Sequence, residues 1–194
     1  MTPRARIRVA NSRMERNSAA GNGGGFYVAA DSNLIIVNTT VVGNAAGDSG
    51  GACFVQESSR VNMTDGAQFF KNIATQSGGA VCLIEDSQLD LADAVLSGNS
   101  AATGGGITLR GSKMWASGAC FVNNSATAGS GGALHLSDWL GVGAEARLTR
   151  CTLSVNSAVW RHGSGCSTDA AITERCGGGG AIRCSYIHKC IWRN

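Results

Sequence analysis

The chain has 194 residues, 43% of them apolar and 15% charged, with a formal net charge of +3. The apolar share is enough for a core and argues against disorder, while 28 glycines beside a single proline exclude Pro-rich and collagen-like chains. So weak a charge does not point to a nucleic-acid partner, and no apolar run approaches the roughly 18 residues of a membrane span.

From the N-terminus, Ile7, Val9, Asn11 and Met14 match Leu34, Ile36, Asn38 and Val41 residue for residue. This is the first sign of an internal repeat, which takes precedence over any single helix or strand. Asparagine recurs at Asn17, Asn44, Asn72, Asn99, Asn124, Asn156 and Asn194, at spacings of 27, 28, 27, 25, 32 and 38. An apolar residue stands three places before each, and alanine stands two places after the first six. A glycine pair follows, represented by Gly50 and Gly51, Gly78 and Gly79, Gly104 and Gly105, and Gly131 and Gly132.

After each pair, apolar residues alternate: Phe26 and Val28, Cys53 and Val55, Val81 and Leu83, Ile107 and Leu109, Leu134 and Leu136. Period two is the signature of a strand. A second short strand carries Leu34 and Ile36, Val61 and Met63, Leu89 and Leu91, and a third precedes the asparagine. Three strands in roughly 27 residues leave no room for a helix. The sequence therefore predicts an all-β parallel solenoid of six to seven coils spanning 1–194 as a single domain, each coil burying its apolar face against the next. The recurrent asparagines form a ladder of stacked amides at a bend, and the glycine pairs allow backbone angles closed to other residues.

The pairing of GGAC (50–53), GGAV (78–81) and GGAL (131–134) with Phe-x-x-Asn at 69–72 and 121–124 resembles the polymorphic outer membrane protein repeats of chlamydiae. More broadly, it is similar to right-handed, pectin-lyase-like β-helix regions of surface proteins. The resemblance covers nearly the whole chain. It implies a right-handed coil and an adhesin-like passenger, extracellular or at the cell surface, with an anchor outside this segment. The sequence enters mid-coil and stops at Asn194 without a polar cap, so it reads as a piece of a longer repeat protein, with end-to-end pairing of chains as the alternative. Residues 159–178 read as an inserted loop.

Several motifs invite a chemical reading. GDSGG at 47–51 is similar to the nucleophile segment of trypsin-like proteases, but no histidine precedes His135, and Ser77 and Ser130 occupy the place of Ser49 in other copies. The repeat explains it. Among the eight cysteines, Cys53 and Cys184 fall on inward positions and Cys82 on an outward one. Cys120 with Cys151, and Cys166 with Cys176, are candidate disulfides, and Cys184 with Cys190 would tie the last coil. A zinc set of His162, Cys166, Cys176 and Cys184 lacks any C-x-x-C pair. Asp65 and Asp93 align on adjacent coils, where the plain reading is two solvated turn residues. Sequons stand at Asn38, Asn62 and Asn123. The outward series Tyr27, Phe54, Cys82, Thr108, His135 and Arg183 holds an apolar strip, either a partner surface or a face packed under a neighbouring loop.

These readings converge on a non-enzymatic β-helix segment that displays a rigid surface to a protein or glycan ligand, without a catalytic residue, metal or cofactor. The alternative is a carbohydrate-binding or polysaccharide-cleaving β-helix. A groove with at least three ionisable residues converging from adjacent coils would favour that alternative.

Overall fold

The computed structural model describes residues 4–159 and the backbone of 172–174 and 181–185. Asn194, His162, Cys166, Cys176 and Cys190 lie outside the described residues. Among those described, all regular structure is strand, arranged as a parallel solenoid of about five turns. Each coil uses four strands rather than three. In the first coil they are Arg6–Ala10, Arg13–Glu15, Ser18–Ala19 and Phe26–Val28. The extra element is the two-residue strand after the ladder asparagine, where Ala46, Ala74 and Ala101 stack in a small buried cluster of their own.

Equivalent strands pair in parallel to build four sheets. The register follows the repeat: Met14, Val41, Phe69, Leu96, Phe121 and Leu153 are successive partners in the second sheet. Phe69, Leu96 and Phe121 are fully buried. Each contributes roughly 2–3 kcal/mol of apolar burial, which no coil could gain alone because the neighbours supply its walls.

The ladder is continuous from Asn17 to Asn156. Asn44, Asn72, Asn99 and Asn124 are fully buried, and each side-chain Nδ2 donates to the next Oδ1 at 2.9–3.0 Å. The same Nδ2 groups also donate to the carbonyls of Met14, Val41, Phe69 and Leu96. The reason for asparagine lies one residue earlier, where the chain turns through left-handed angles at Lys71 (φ 51°), Asn123 (φ 54°) and Val155 (φ 54°). Such a bend costs about 1–2 kcal/mol for an L-residue, and the amide that follows satisfies the groups left open at the same corner of the preceding coil, as Asn72 does for Val41 O and Asn44 N–H.

Asp65 and Asp93 stand at another left-handed corner, both with φ 53° and both exposed. Aspartate tolerates that geometry. The glycine pair makes the sharpest demand. A Cβ on Gly79 would lie 2.2 Å from Gly105 O and 2.5 Å from Ser100 N, so the second glycine is required by backbone approach between coils.

Within the expected 159–178 insertion, Ile172–Glu174 forms a strand that pairs with Leu134–Ser137 in the fourth sheet. Ala181–Ser185 pairs with Glu145–Thr149 in the first sheet, placing Cys184 opposite Leu148 and Arg183 opposite Arg147. Arg183 thus belongs to a different sheet from His135, and does not extend the outward series as the repeat suggested.

Candidate functional site

The outward positions of the fourth sheet are not a free face. Phe54, Cys82, Thr108 and His135 are each under 8% exposed although their neighbours in sequence form the interior core. The glycine turn of each coil folds over its own strand: Cβ atoms placed on Gly78 and Gly131 would lie 2.9 Å from the Cβ atoms of Cys82 and His135. Cys82 therefore points away from the core, as its outward position suggested, yet is fully buried, the packed alternative for this face. Among the described side chains of this series, Tyr27 alone stays open, at 55% exposure, with its ring stacked on Phe54 at 5.5 Å.

Along this face the chemistry changes. Coils two and three present Phe54 and Cys82; coils four and five present Thr108 and Arg110, then His135 and Ser137, which are direct partners across the sheet. The flanking connections change at the same place. After the fifth coil the link to the next first-sheet strand runs over 138–144, whereas earlier coils use 29–32, 56–59, 84–87 and 111–112. Its tip is a small hairpin, in which Trp139 and Val142 exchange backbone hydrogen bonds at 2.9 Å in both directions. Leu140 at the turn is 92% exposed.

These departures enclose one cleft of about 470 Å³, lined by Thr103, Arg110, Ser130, His135, Asp138 and Trp139, with Gly129 and Ser137. That volume suits a small ligand. Gly111, with φ 54°, lets the hairpin seat, because a Cβ there would meet Trp139 Cβ at 2.8 Å. His135 is held by Ser130, whose Oγ lies 3.0 Å from Nδ1. Thr108 Oγ1 donates to Thr103 O at 3.2 Å, tying the opposite wall down.

Arg110 donates to Ser77 Oγ at 3.3 Å. Among the described residues it has no carboxylate in ion-pair range, and Asp138 likewise pairs with no cation. The cleft thus holds a cation and an anion that do not neutralise each other. Next to it, burial pushes the Cys82 thiol up to about 12, against the lowering effects of the Arg110 charge and a hydrogen bond with Ser49.

The serine and cysteines singled out in the sequence fall elsewhere. Ser49 is buried beside Cys82 and its backbone N–H donates to Asn22 Oδ1 at 3.0 Å. Cys53, Cys82, Cys120 and Cys151 stand as free thiols. Cys120 pairs in register with Thr152, one residue past Cys151, and Cys151 is buried with its Sγ donating to Thr149 O at 3.4 Å. The cleft itself was missed by the repeat reading. Its signal was present in the ladder spacing, which jumps from 25 between Asn99 and Asn124 to 32 between Asn124 and Asn156. No family model, curated protein or solved structure matches this chain.

Proposed function

We propose that this chain is a non-enzymatic recognition scaffold of a secreted or cell-surface protein, in which a rigid solenoid presents the cleft between coils four and five to a partner. The observation that carries the reading is that the lengthened 138–144 connection and the change in outward chemistry meet at that cleft. Loop excursions in solenoids cluster on binding faces, and here they coincide with the polar switch from Phe54 and Cys82 to Thr108, Arg110, His135 and Ser137. The glycine-pair and Phe-x-x-Asn motifs support placement with right-handed β-helix passengers of the chlamydial outer-membrane type. A membrane would then be reached through an anchor outside this segment.

The test is retention of the soluble chain on arrays of cell-surface glycoproteins and glycans, compared with Arg110→Ala and Trp139→Ala variants of unchanged circular dichroism. Retention lost in both variants supports the reading. Retention that the variants leave unchanged overturns the assignment of the cleft.

The polysaccharide-directed alternative gains one specific observation: Arg110, His135 and Asp138 are three ionisable residues converging from adjacent coils. Release of new reducing ends from polysaccharide substrates by the wild-type chain, absent in His135→Ala, would establish cleavage in place of display.

A further inference from the structure

The cleft carries more information than its existence. Its floor is the outer face of two paired strands, with Arg110 opposite Ser137. One wall is Thr103 with Gly129 and Ser130, and the other is the hairpin with Asp138 and Trp139. Arg110, Ser137, Asp138 and Trp139 are all half-buried, so their polar and aromatic groups are shielded without being sealed.

Resting on the recognition reading above, we infer that the cleft binds a neutral sugar, one or two rings in size. Two charges without an ion-pair partner among the described residues, Arg110 and Asp138, decide the ligand class. A ligand that is only an anion would meet Arg110 but oppose Asp138, and a simple cation would do the reverse. A pair of adjacent sugar hydroxyls serves both, because each hydroxyl donates and accepts: it gives a proton to the Asp138 carboxylate and receives from the Arg110 fork. The hydroxyls of Ser130 and Ser137 extend the same chemistry. Trp139 supplies the other half of what a sugar offers, since an indole face covers the C–H face of a pyranose while excluding water.

The cleft volume of about 470 Å³ accommodates that size and leaves a polymer only one or two units to insert. Among the described residues, Asp138 is the only carboxylate lining the cleft, which favours holding over cutting because most glycoside hydrolysis uses a pair.

The test uses the soluble chain and four probes: the methyl glycosides of glucose, galactose and mannose, and free galacturonate. Saturation-transfer NMR is recorded during titration, with the wild type compared with Trp139→Ala, Asp138→Asn and, as a hairpin control, Leu140→Ala. At least one neutral glycoside should bind saturably at about millimolar dissociation constant. Binding should weaken by about tenfold or more in Trp139→Ala and Asp138→Asn, and stay within about twofold in Leu140→Ala. Three results would overturn it: no saturable binding of any neutral glycoside, binding that survives both cleft variants, or preference for galacturonate over every neutral sugar. A free amino acid such as alanine competing the glycoside off would reassign the charge pair to a zwitterion, and also overturns it. If every sugar fails while array retention still depends on Arg110 and Trp139, the recognition scaffold stands and the sugar class falls.

Discussion

Asn72 Oδ1 accepts two hydrogen bonds from one residue of the preceding coil, the backbone N–H and the side-chain Nδ2 of Asn44, both at 3.0 Å. Asn72 in turn donates its own Nδ2 to Asn99 Oδ1 and to Val41 O, also at 3.0 Å. A single amide thereby joins three coils, and every one of its strong hydrogen-bonding sites is used at full burial.

Removing it leaves buried partners without replacement. Asn72→Ala is expected to destabilise by about 1–3 kcal/mol, since an orphaned buried donor or acceptor costs more than the bond itself contributes. Asn17 sits on the first described coil and is exposed, so Asn17→Ala should cost less than about 1 kcal/mol. Urea denaturation of the two variants and the wild type measures both. A change within about 0.3 kcal/mol for Asn72→Ala would contradict the ladder's role.

Gly79→Ala is expected to be worse than an ordinary glycine change. The added methyl would have to displace backbone atoms of the next coil, at 2.2 Å and 2.5 Å, and two stacked coils cannot separate locally. A cost of about 3 kcal/mol or more follows from overpacking against rigid backbone. By contrast, Gln88→Ala alters only a partly exposed network with Arg60 and Asp90, for which a shift below about 0.5 kcal/mol is expected. Thermal denaturation of both variants gives the comparison, and equal effects would refute the close-approach argument.

The thiols differ in their surroundings and should differ in reactivity. Cys120 is half-buried, whereas Cys53 and Cys82 are fully buried, so native-state alkylation read by peptide mass spectrometry should modify Cys120 first. Burial also raises both buried thiols, Cys82 from 9.0 to about 12 and Cys53 above the usual thiol range, with Cys82 adding to the rise. The unfolded chain releases these protons near 9.0 while the folded chain retains them. Their stabilising effect is therefore complete below pH 9.0 and is lost as pH climbs toward about 12. The Cys53→Ala/Cys82→Ala double variant should lose less stability between pH 8 and roughly 10.5 than the wild type does. Parallel losses would refute the burial argument.

The stack was legible in the sequence because its constraints are periodic. Val41, Phe69, Leu96 and Phe121 occupy one inward column, and their asparagines follow at a fixed offset, so one-dimensional spacing encodes a three-dimensional contact. What did not repeat was harder to read. The two-residue strand at Ala45–Ala46 is too short to show alternation, and so the coil was expected to have three strands. The covering of Cys82 depends on a glycine turn folding back over its own strand, which period two cannot express. The cleft arises from irregularity itself: residues 138–144 carry no motif, and only the lengthened interval before Asn156 betrays them. A repeat announces its scaffold, while its departures from regularity must be located in space.

The ladder can be observed directly through the hydrogen exchange of asparagine side-chain amides, resolved by ¹⁵N–¹H NMR. The Nδ2 protons of Asn44, Asn72, Asn99 and Asn124, each shared between the next asparagine and a backbone carbonyl, should exchange slowly. Those of the exposed Asn11 and Asn123, and of Asn38, whose one bond to Asn11 Oδ1 lies at the surface, should exchange far faster. That division supports a solenoid held by a buried, saturated amide ladder. Fast exchange of all seven amides would contradict it.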